Sequence, residues 1–240
     1  MSEIAIIMAA GMGTRLRPLT NTIPKPLINV HGKPMIETVI EGLKRRGISE
    51  YLVVVGYLGE QFAYLQEKYD NLRIIVNKDF ETINNISSIY AVADELKNTD
   101  SDCFICEADL YVSNNELFNC HLTHSCYFGK MVLGHSEDWV FNTDINGRIT
   151  RIGKVGDDCY NMVGISWFRK NDANLLGQLI KDAYGRSGFE DLFWDDVVNL
   201  NLDKLDLHIH EINGKQILEI DTIDELATVD DKYCCAQQSL

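Results

Sequence analysis

Residues 9–16 read Ala9-Ala10-Gly11-Met12-Gly13-Thr14-Arg15-Leu16. Glycines at this spacing let backbone N–H groups come close to a polyanion, and the arginine adds a planar fork for phosphate oxygens. Lys25 in Pro24-Lys25-Pro26-Leu27 and Lys33 in Gly32-Lys33-Pro34-Met35-Ile36 continue the theme. Residues 1–36 carry Arg15, Arg17, Lys25 and Lys33 against Glu3 alone, whereas the 240-residue chain holds 22 basic and 36 acidic side chains, a formal charge of −14. A basic island in an acidic chain suits a small phosphorylated ligand and excludes general nucleic-acid binding, which needs a basic face. Two carboxylates complete the set. Asp109 ends the apolar run that begins at Cys103, and Asp221 follows Ile217, Leu218 and Ile220. Mg²⁺ takes oxygen ligands, commonly one or two carboxylates with phosphate oxygens and water. The structural alternatives are a strand-end turn for Asp109 and the N-cap of a last helix for Asp221, and the ligand role is preferred for both. Glu107 is a weaker third carboxylate.

The elements that must position these residues are readable from periodicity. The apolar run 4–10, closed by Gly11, predicts a buried parallel strand whose following loop faces a ligand. A helix opens after Pro34 and ends at Gly47 behind Lys44, Arg45 and Arg46. Strands are expected at 51–55, 72–76 and 103–109, with helices near 59–68 and over 86–97. Alternation at this spacing predicts an α/β fold with a doubly wound, mostly parallel sheet. From 126 to 168 the texture becomes strand-like around Asn146-Gly147, a hairpin signal. Helices at 172–184 and 190–200, a strand at 205–212 and an acidic helix from Asp221-Thr222 to about 235 finish the chain. The tail CCAQQSL reads as a frayed end or a junction to a further domain.

Composition sets the class. Hydrophobic residues at 45% and charged residues at 24% are ordinary for a folded soluble domain. No apolar run is long enough to span a membrane. The N-terminus lacks a basic leader region, so it reads as a strand rather than a signal peptide. Seven cysteines, several in apolar runs, suit a reducing compartment, and a cytoplasmic protein is expected. Leu16 stands where a dinucleotide fingerprint needs its third glycine, and the Walker pattern is absent.

The order and spacing of the three N-terminal segments resemble the nucleotidyltransferases that make NDP-sugars and CDP-alcohols. Gly56-Tyr57-Leu58-x-Glu60-Gln61-Phe62, Asn84-Asn85-x-Ser87-Ser88-x-Tyr90, Phe193-Trp194-Asp195 and Glu219-Ile220-Asp221 narrow this to a likeness with bacterial CTP:phosphocholine cytidylyltransferases. The resemblance implies one Rossmann-like nucleotidyltransferase domain over 1–240. Within it, 1–112 would bind nucleotide, 113–212 form a small mixed β/α acceptor region, and 213–240 supply a metal-site strand end and the last helix. It implies Mg²⁺ as cofactor at Asp109 and Asp221. Gly11, Gly13 and Arg15 would hold the β- and γ-phosphates, with Lys25 at the α-phosphate. Ala9, Ala10, Gly11, Asn84 and Ser88 would read the cytidine.

The expected reaction is CMP transfer from CTP to phosphocholine, giving CDP-choline and pyrophosphate. A quaternary ammonium has no N–H, so aromatic faces and acids must select it. By resemblance Trp139, Trp194 and Asp195 line that pocket, and Tyr160 is added as an aromatic of the same acid-rich half. Core packing is the alternative for each ring, and Trp167 is expected in the core. A primary-amine acceptor, 2-aminoethylphosphonate or phosphoethanolamine, would use the same acids with fewer rings. A sugar-1-phosphate nucleotidylyltransferase and a CTP-binding sensor without turnover are the remaining readings. Cys103, Cys106, Cys120, His121, His124 and Cys126 suggest zinc, but Cys103 and Cys106 would face opposite sides of a strand. His208 and His210 are expected on a solvated face. The expected partners are small molecules, with a homodimer or a fused enzyme domain as further options.

Overall fold

The computed structural model describes residues 2–234. In chain order the strands are β1 (Glu3–Ala9), β2 (Asn29–Val30), β3 (Lys33–Pro34), β4 (Glu50–Val55), β5 (Leu72–Val76), β6 (Asp102–Glu107), β7 (Leu110–Val112), β8 (Cys126–Thr143), β9 (Ile149–Phe168), β10 (His208–Glu211) and β11 (Ile217–Glu219). The α-helices are α1 (Met35–Arg46), α2 (Tyr64–Lys68), α3 (Ile86–Tyr90), α4 (Ala93–Asn98), α5 (Lys170–Ala183), α6 (Trp194–Asn199) and α7 (Ile223–Val229). Seven strands form one sheet in the order β10-β8-β9-β6-β1-β4-β5. Strands β5, β4, β1 and β6 are parallel, while β9 runs antiparallel to β6 and β8 to β9. The sheet is doubly wound and parallel from β5 through β4 and β1 to β6.

β1 is apolar on both faces because both are covered. Ala5, Ile7 and Ala9 join the core built with Ile36, Val39, Ile40 and Leu43 of α1. Ile4 and Ile6 join the opposite core, with Ile89 of α3, Leu96 of α4 and Leu176 of α5. The chain leaves β1 toward β4 and β5, then returns to β6 on the other side of β1. This reversal opens a crevice at the C-terminal ends of β1 and β6, where ligands bind in such sheets.

Four local readings are corrected. The helix over 86–97 is broken: Val92 adopts φ −118° and ψ 14°, buries its side chain, and the chain restarts as α4. β6 stops at Glu107 instead of running to 109, so Asp109 sits in the link before β7. The last helix ends at Val229, where Asp230 leaves helical geometry and accepts a hydrogen bond from the His31 N–H. His208 and His210 are half-buried on β10, with the His210 ring 4.7 Å from Phe128 and the His208 ring 4.8 Å from His124.

The hairpin turn at Asn146-Gly147 joins β8 and β9 as expected, and Trp167 is buried with its indole N–H donating to Glu3. Residues 235–240 of the tail lie outside the described residues. Among the described residues no helix is long and apolar enough to cross a membrane. Nor does any group of three or more His, Cys, Asp or Glu side chains there form a metal cage, and Cys103 and Cys106 are free and buried.

Candidate active site

Three adjoining cavities line the crevice. The middle one, about 220 Å³, is walled by Gly11, Gly13, Thr14, Arg15, Lys25, Asp109 and Asp221. Gly13 has φ +58°, and a Cβ there would lie 2.7 Å from the Lys25 Cβ and 3.2 Å from Thr20. Its carbonyl accepts from the Thr20 hydroxyl at 2.9 Å, fixing the loop against the Lys25 segment. Nothing lies within 4 Å of a Cβ built at Gly11, so that glycine keeps the cavity mouth open.

Lys25 is 6% exposed, yet its ammonium lies 2.6 Å from Asp109 Oδ2 and 2.6 Å from Asp221 Oδ1. Arg15 reaches the same Asp221 oxygen at 2.9 Å. Asp109 lies 84 residues and Asp221 196 residues along the chain from Lys25, and a small ladder unites the two acids. β7 and β11 pair antiparallel with Leu110 opposite Glu219, which brings Asp109 and Asp221 to one rim. Thr222, not Asp221, caps α7, in a reciprocal pair with Glu225. The Asp221 carboxylate is thereby left for the cations.

Burial alone lowers the Lys25 pKa, but the Asp109 and Asp221 carboxylates outweigh it and raise it above the ordinary value. Lys25 therefore stays a cation at neutral pH. The neighbouring acids show the opposite stress. Burial first, then Asp109 and Asp221, push Glu219 up to about 7. Burial and the charges of Asp109, Glu219 and Asp195 hold Glu107 well above the carboxylate range. Hard oxygen donors in excess of local cations fit Mg²⁺, with Asp109 and Asp221 as the convergent pair.

On one side of this cavity, about 150 Å³ opens between Ala10, Gly11, Asn77, Phe80, Ile83, Asn84, Asn85 and Ser88. The Asn77 amide donates to Ser87 at 2.8 Å and to Ser88 at 3.2 Å, holding the start of α3. Asn84 donates from its side chain to the Asp191 carbonyl at 3.2 Å. Ala10, Gly11, Asn84 and Ser88 are thus brought together, while Ala9 lines the middle cavity.

On the other side lies a cavity of about 380 Å³, which shares Arg15, Asp109 and Asp221 with the middle one. Its far wall holds Glu137, Asp138, Trp139, Phe193 and Asp195, with Lys130 and Lys154. Asp195 is 3% exposed and accepts from the Tyr127 hydroxyl at 2.9 Å. Burial pushes its pKa up to about 7, against the Tyr127 hydrogen bond. Gly164, at φ +70°, makes room for Glu107 on the floor; a Cβ there would lie 2.6 Å from Glu107 Oε2.

Two sequence-derived acceptor residues are misplaced. Trp194 is core: its ring packs 5.8 Å from Tyr127 and 6.2 Å from Phe168, and Phe193 faces the cavity in its stead. Adjacent residues at a helix start point different ways, which a linear motif does not reveal. Tyr160 lies outside the cavity and donates its hydroxyl to Glu211 at 2.8 Å. Lys130, Lys154 and the position of Asn85, which lines both this cavity and the one of about 150 Å³, were not anticipated. Both lysines sit on strands with no local motif, and only the β8–β9 pairing brings them to the site.

A glycine-and-arginine phosphate loop at the switch point of a doubly wound sheet, facing two convergent aspartates, defines a nucleotide-handling enzyme of the transferase type. Residues 4–125 match the nucleotidyl transferase family, and the chain belongs to it. Over 95% of this chain and 92% of the relative, it is 52% identical to the 2-aminoethylphosphonate cytidylyltransferase of Lancefieldella rimae. It is 37% identical to the choline-phosphate cytidylyltransferase of Streptococcus pneumoniae, over 92% of this chain and 94% of that protein. A solved structure of the CTP:phosphocholine cytidylyltransferase from Streptococcus pneumoniae superposes with a TM-score of 0.87 at 36% identity, covering 97% and 99% of the two chains. The chain is a nucleotidyltransferase, and the two relatives just named are bacterial cytidylyltransferases.

Proposed function

We propose that this enzyme transfers CMP from CTP to 2-aminoethylphosphonate, releasing pyrophosphate, with Mg²⁺ as cofactor. The observation that carries the choice of acceptor is the far wall of the 380 Å³ cavity, which presents Glu137, Asp138 and Asp195. A primary ammonium donates hydrogen bonds to such carboxylates. The expected three-ring cage for choline is reduced to Trp139 with Phe193, because Trp194 is core and Tyr160 lies elsewhere. The acceptor named on the Lancefieldella rimae relative agrees. Phosphocholine, the first expectation from sequence, is therefore replaced by the primary amine that was its alternative.

Cytosine and ribose are assigned to the cavity of Ala10, Asn84 and Ser88, with the triphosphate along Gly11, Gly13 and Arg15. The acceptor would lie with its phosphonate toward Asp109 and its amine toward Asp195. A phosphonate oxygen attacks the α-phosphorus in line, a new P–O bond forms, and the α–β bridging bond breaks to free pyrophosphate. The acceptor oxygen is already anionic, so no general base is required. The obstacle is repulsion between anions, which positioning and fixed positive charge overcome. Lys25, held protonated, supplies that charge at the α-phosphate, and Arg15 supplies it at the outer phosphates. Asp109 and Asp221 would hold Mg²⁺, whose chemistry there is to neutralise phosphate charge.

Pyrophosphate release with 2-aminoethylphosphonate, measured with CTP, UTP, dTTP and GTP in turn, tests this reading. Release should be confined to CTP and abolished by EDTA. Turnover with UTP or dTTP at a comparable rate would contradict it, as would EDTA-resistant activity.

A further inference from the structure

Trp139 stands directly opposite Lys154 in the β8–β9 ladder. The Lys154 ammonium lies 5.7 Å from the centre of the Trp139 ring and 5.5 Å from that of Phe193. Those rings meet edge to face with centroids 5.3 Å apart. The wedge that would serve a ligand cation is thus filled by a cation of the protein, within the range where ring faces attract ammonium groups. Lys154 is exposed, but the backbone that delivers it is held. Arg151 donates to the Lys154 carbonyl at 2.6 Å, the Val155 carbonyl at 3.4 Å and Asn142 Oδ1 at 3.0 Å. Val155 is kept at φ +68°, a left-handed conformation that a β-branched residue adopts only under constraint.

We propose that Lys154 is an acceptor filter, occupying the Trp139–Phe193 wedge so that a trimethylammonium head is refused while a primary ammonium binds at the carboxylates. The inference rests on the amine-acceptor reading above and deepens it. A quaternary ammonium has no N–H and depends on ring faces, so it must displace Lys154 and face its like charge. A primary ammonium draws on Glu137, Asp138 and Asp195 and needs no ring. Selectivity here comes from a built-in repulsion against the wrong ligand, not from an extra contact to the right one.

The test is steady-state pyrophosphate release with CTP and Mg²⁺, using 2-aminoethylphosphonate and phosphocholine, for wild type, Lys154→Ala and Lys154→Arg. The side chain is exposed, so neither substitution disturbs the core. Wild type should prefer the amine. Lys154→Ala should raise kcat/KM for phosphocholine by about tenfold or more, through a lower KM. Lys154→Arg, which keeps a cation over the rings, should show no such gain. A Lys154→Ala enzyme with no gain for phosphocholine would overturn the filter, whether its amine turnover falls (Lys154 then holding the phosphonate) or stays constant. Wild-type preference for phosphocholine would overturn the amine reading and the filter together, so the two failures are told apart by the wild-type lane.

Discussion

Lys25 is enclosed by Asp109 and Asp221 at 2.6 Å each, and this enclosure sets its chemistry. It cannot lose its proton near neutrality, so it acts as fixed charge. Lys25→Ala should lower kcat by roughly 10²–10³-fold, the usual cost of deleting one preorganised donor at a developing charge. A variant within a few-fold of wild type would remove Lys25 from the mechanism. Asp195 makes a different prediction, because burial raises its pKa from 3.8 to about 7. The Tyr127 hydroxyl and a backbone N–H favour its charged form, and Asp196 opposes it. Below about pH 7 the carboxyl is neutral and a weak partner for an ammonium. KM for the amine should therefore fall between pH 6 and 8 in wild type by more than in Asp195→Asn. The same shift has a stability sign. The folded state keeps this proton to higher pH than the unfolded chain, so its stabilising effect is lost as pH rises from about 4 to 7. Asp195→Asn should then raise Tm more at pH 8 than at pH 5. Equal gains at both would deny the shift. That Gly11, Gly13, Arg15 and Lys25 share one cavity was legible in sequence because they lie close together along the chain. Trp194 was not, since which of two neighbours at a helix start faces a cavity depends on how the helix docks.

Gly13 and Gly164 show how elements carry the site. Each has positive φ, and at each a Cβ would meet a site residue: Lys25 for Gly13, Glu107 for Gly164. Gly13→Ala should cost about 1–2 kcal/mol in backbone strain and displace Lys25, so turnover should fall by more than stability alone explains. Denaturant titration beside kcat would separate the two, and a stable variant with full kcat would contradict the proposed packing. The periodicity of β1, α1 and β4 was readable because each is long or uniformly apolar. The break at Val92 and the stop at Glu107 were not, since tertiary burial and the β7–β11 ladder decide them. That ladder also explains why Asp109 and Asp221, distant in sequence, act as one pair.

At the scale of the whole molecule, sheet order turns local motifs into a path. The reversal between β5 and β6 places the cavities of about 150, 220 and 380 Å³ in a row, joined by Gly11 at one boundary and by Arg15, Asp109 and Asp221 at the other. The parallel half was foreseeable from alternating strands and helices. The acceptor half was not, because β8 and β9 are long antiparallel strands whose pairing, with its register shifts, chooses which side chains meet. That is where Lys130 and Lys154 enter, and where the proposed choice of acceptor would be made. The most direct measurement is a competition: CTP, Mg²⁺ and equal 2-aminoethylphosphonate and phosphocholine, with products resolved by ³¹P NMR. The CMP ester of 2-aminoethylphosphonate should dominate; CDP-choline as the main product would contradict the acceptor assignment.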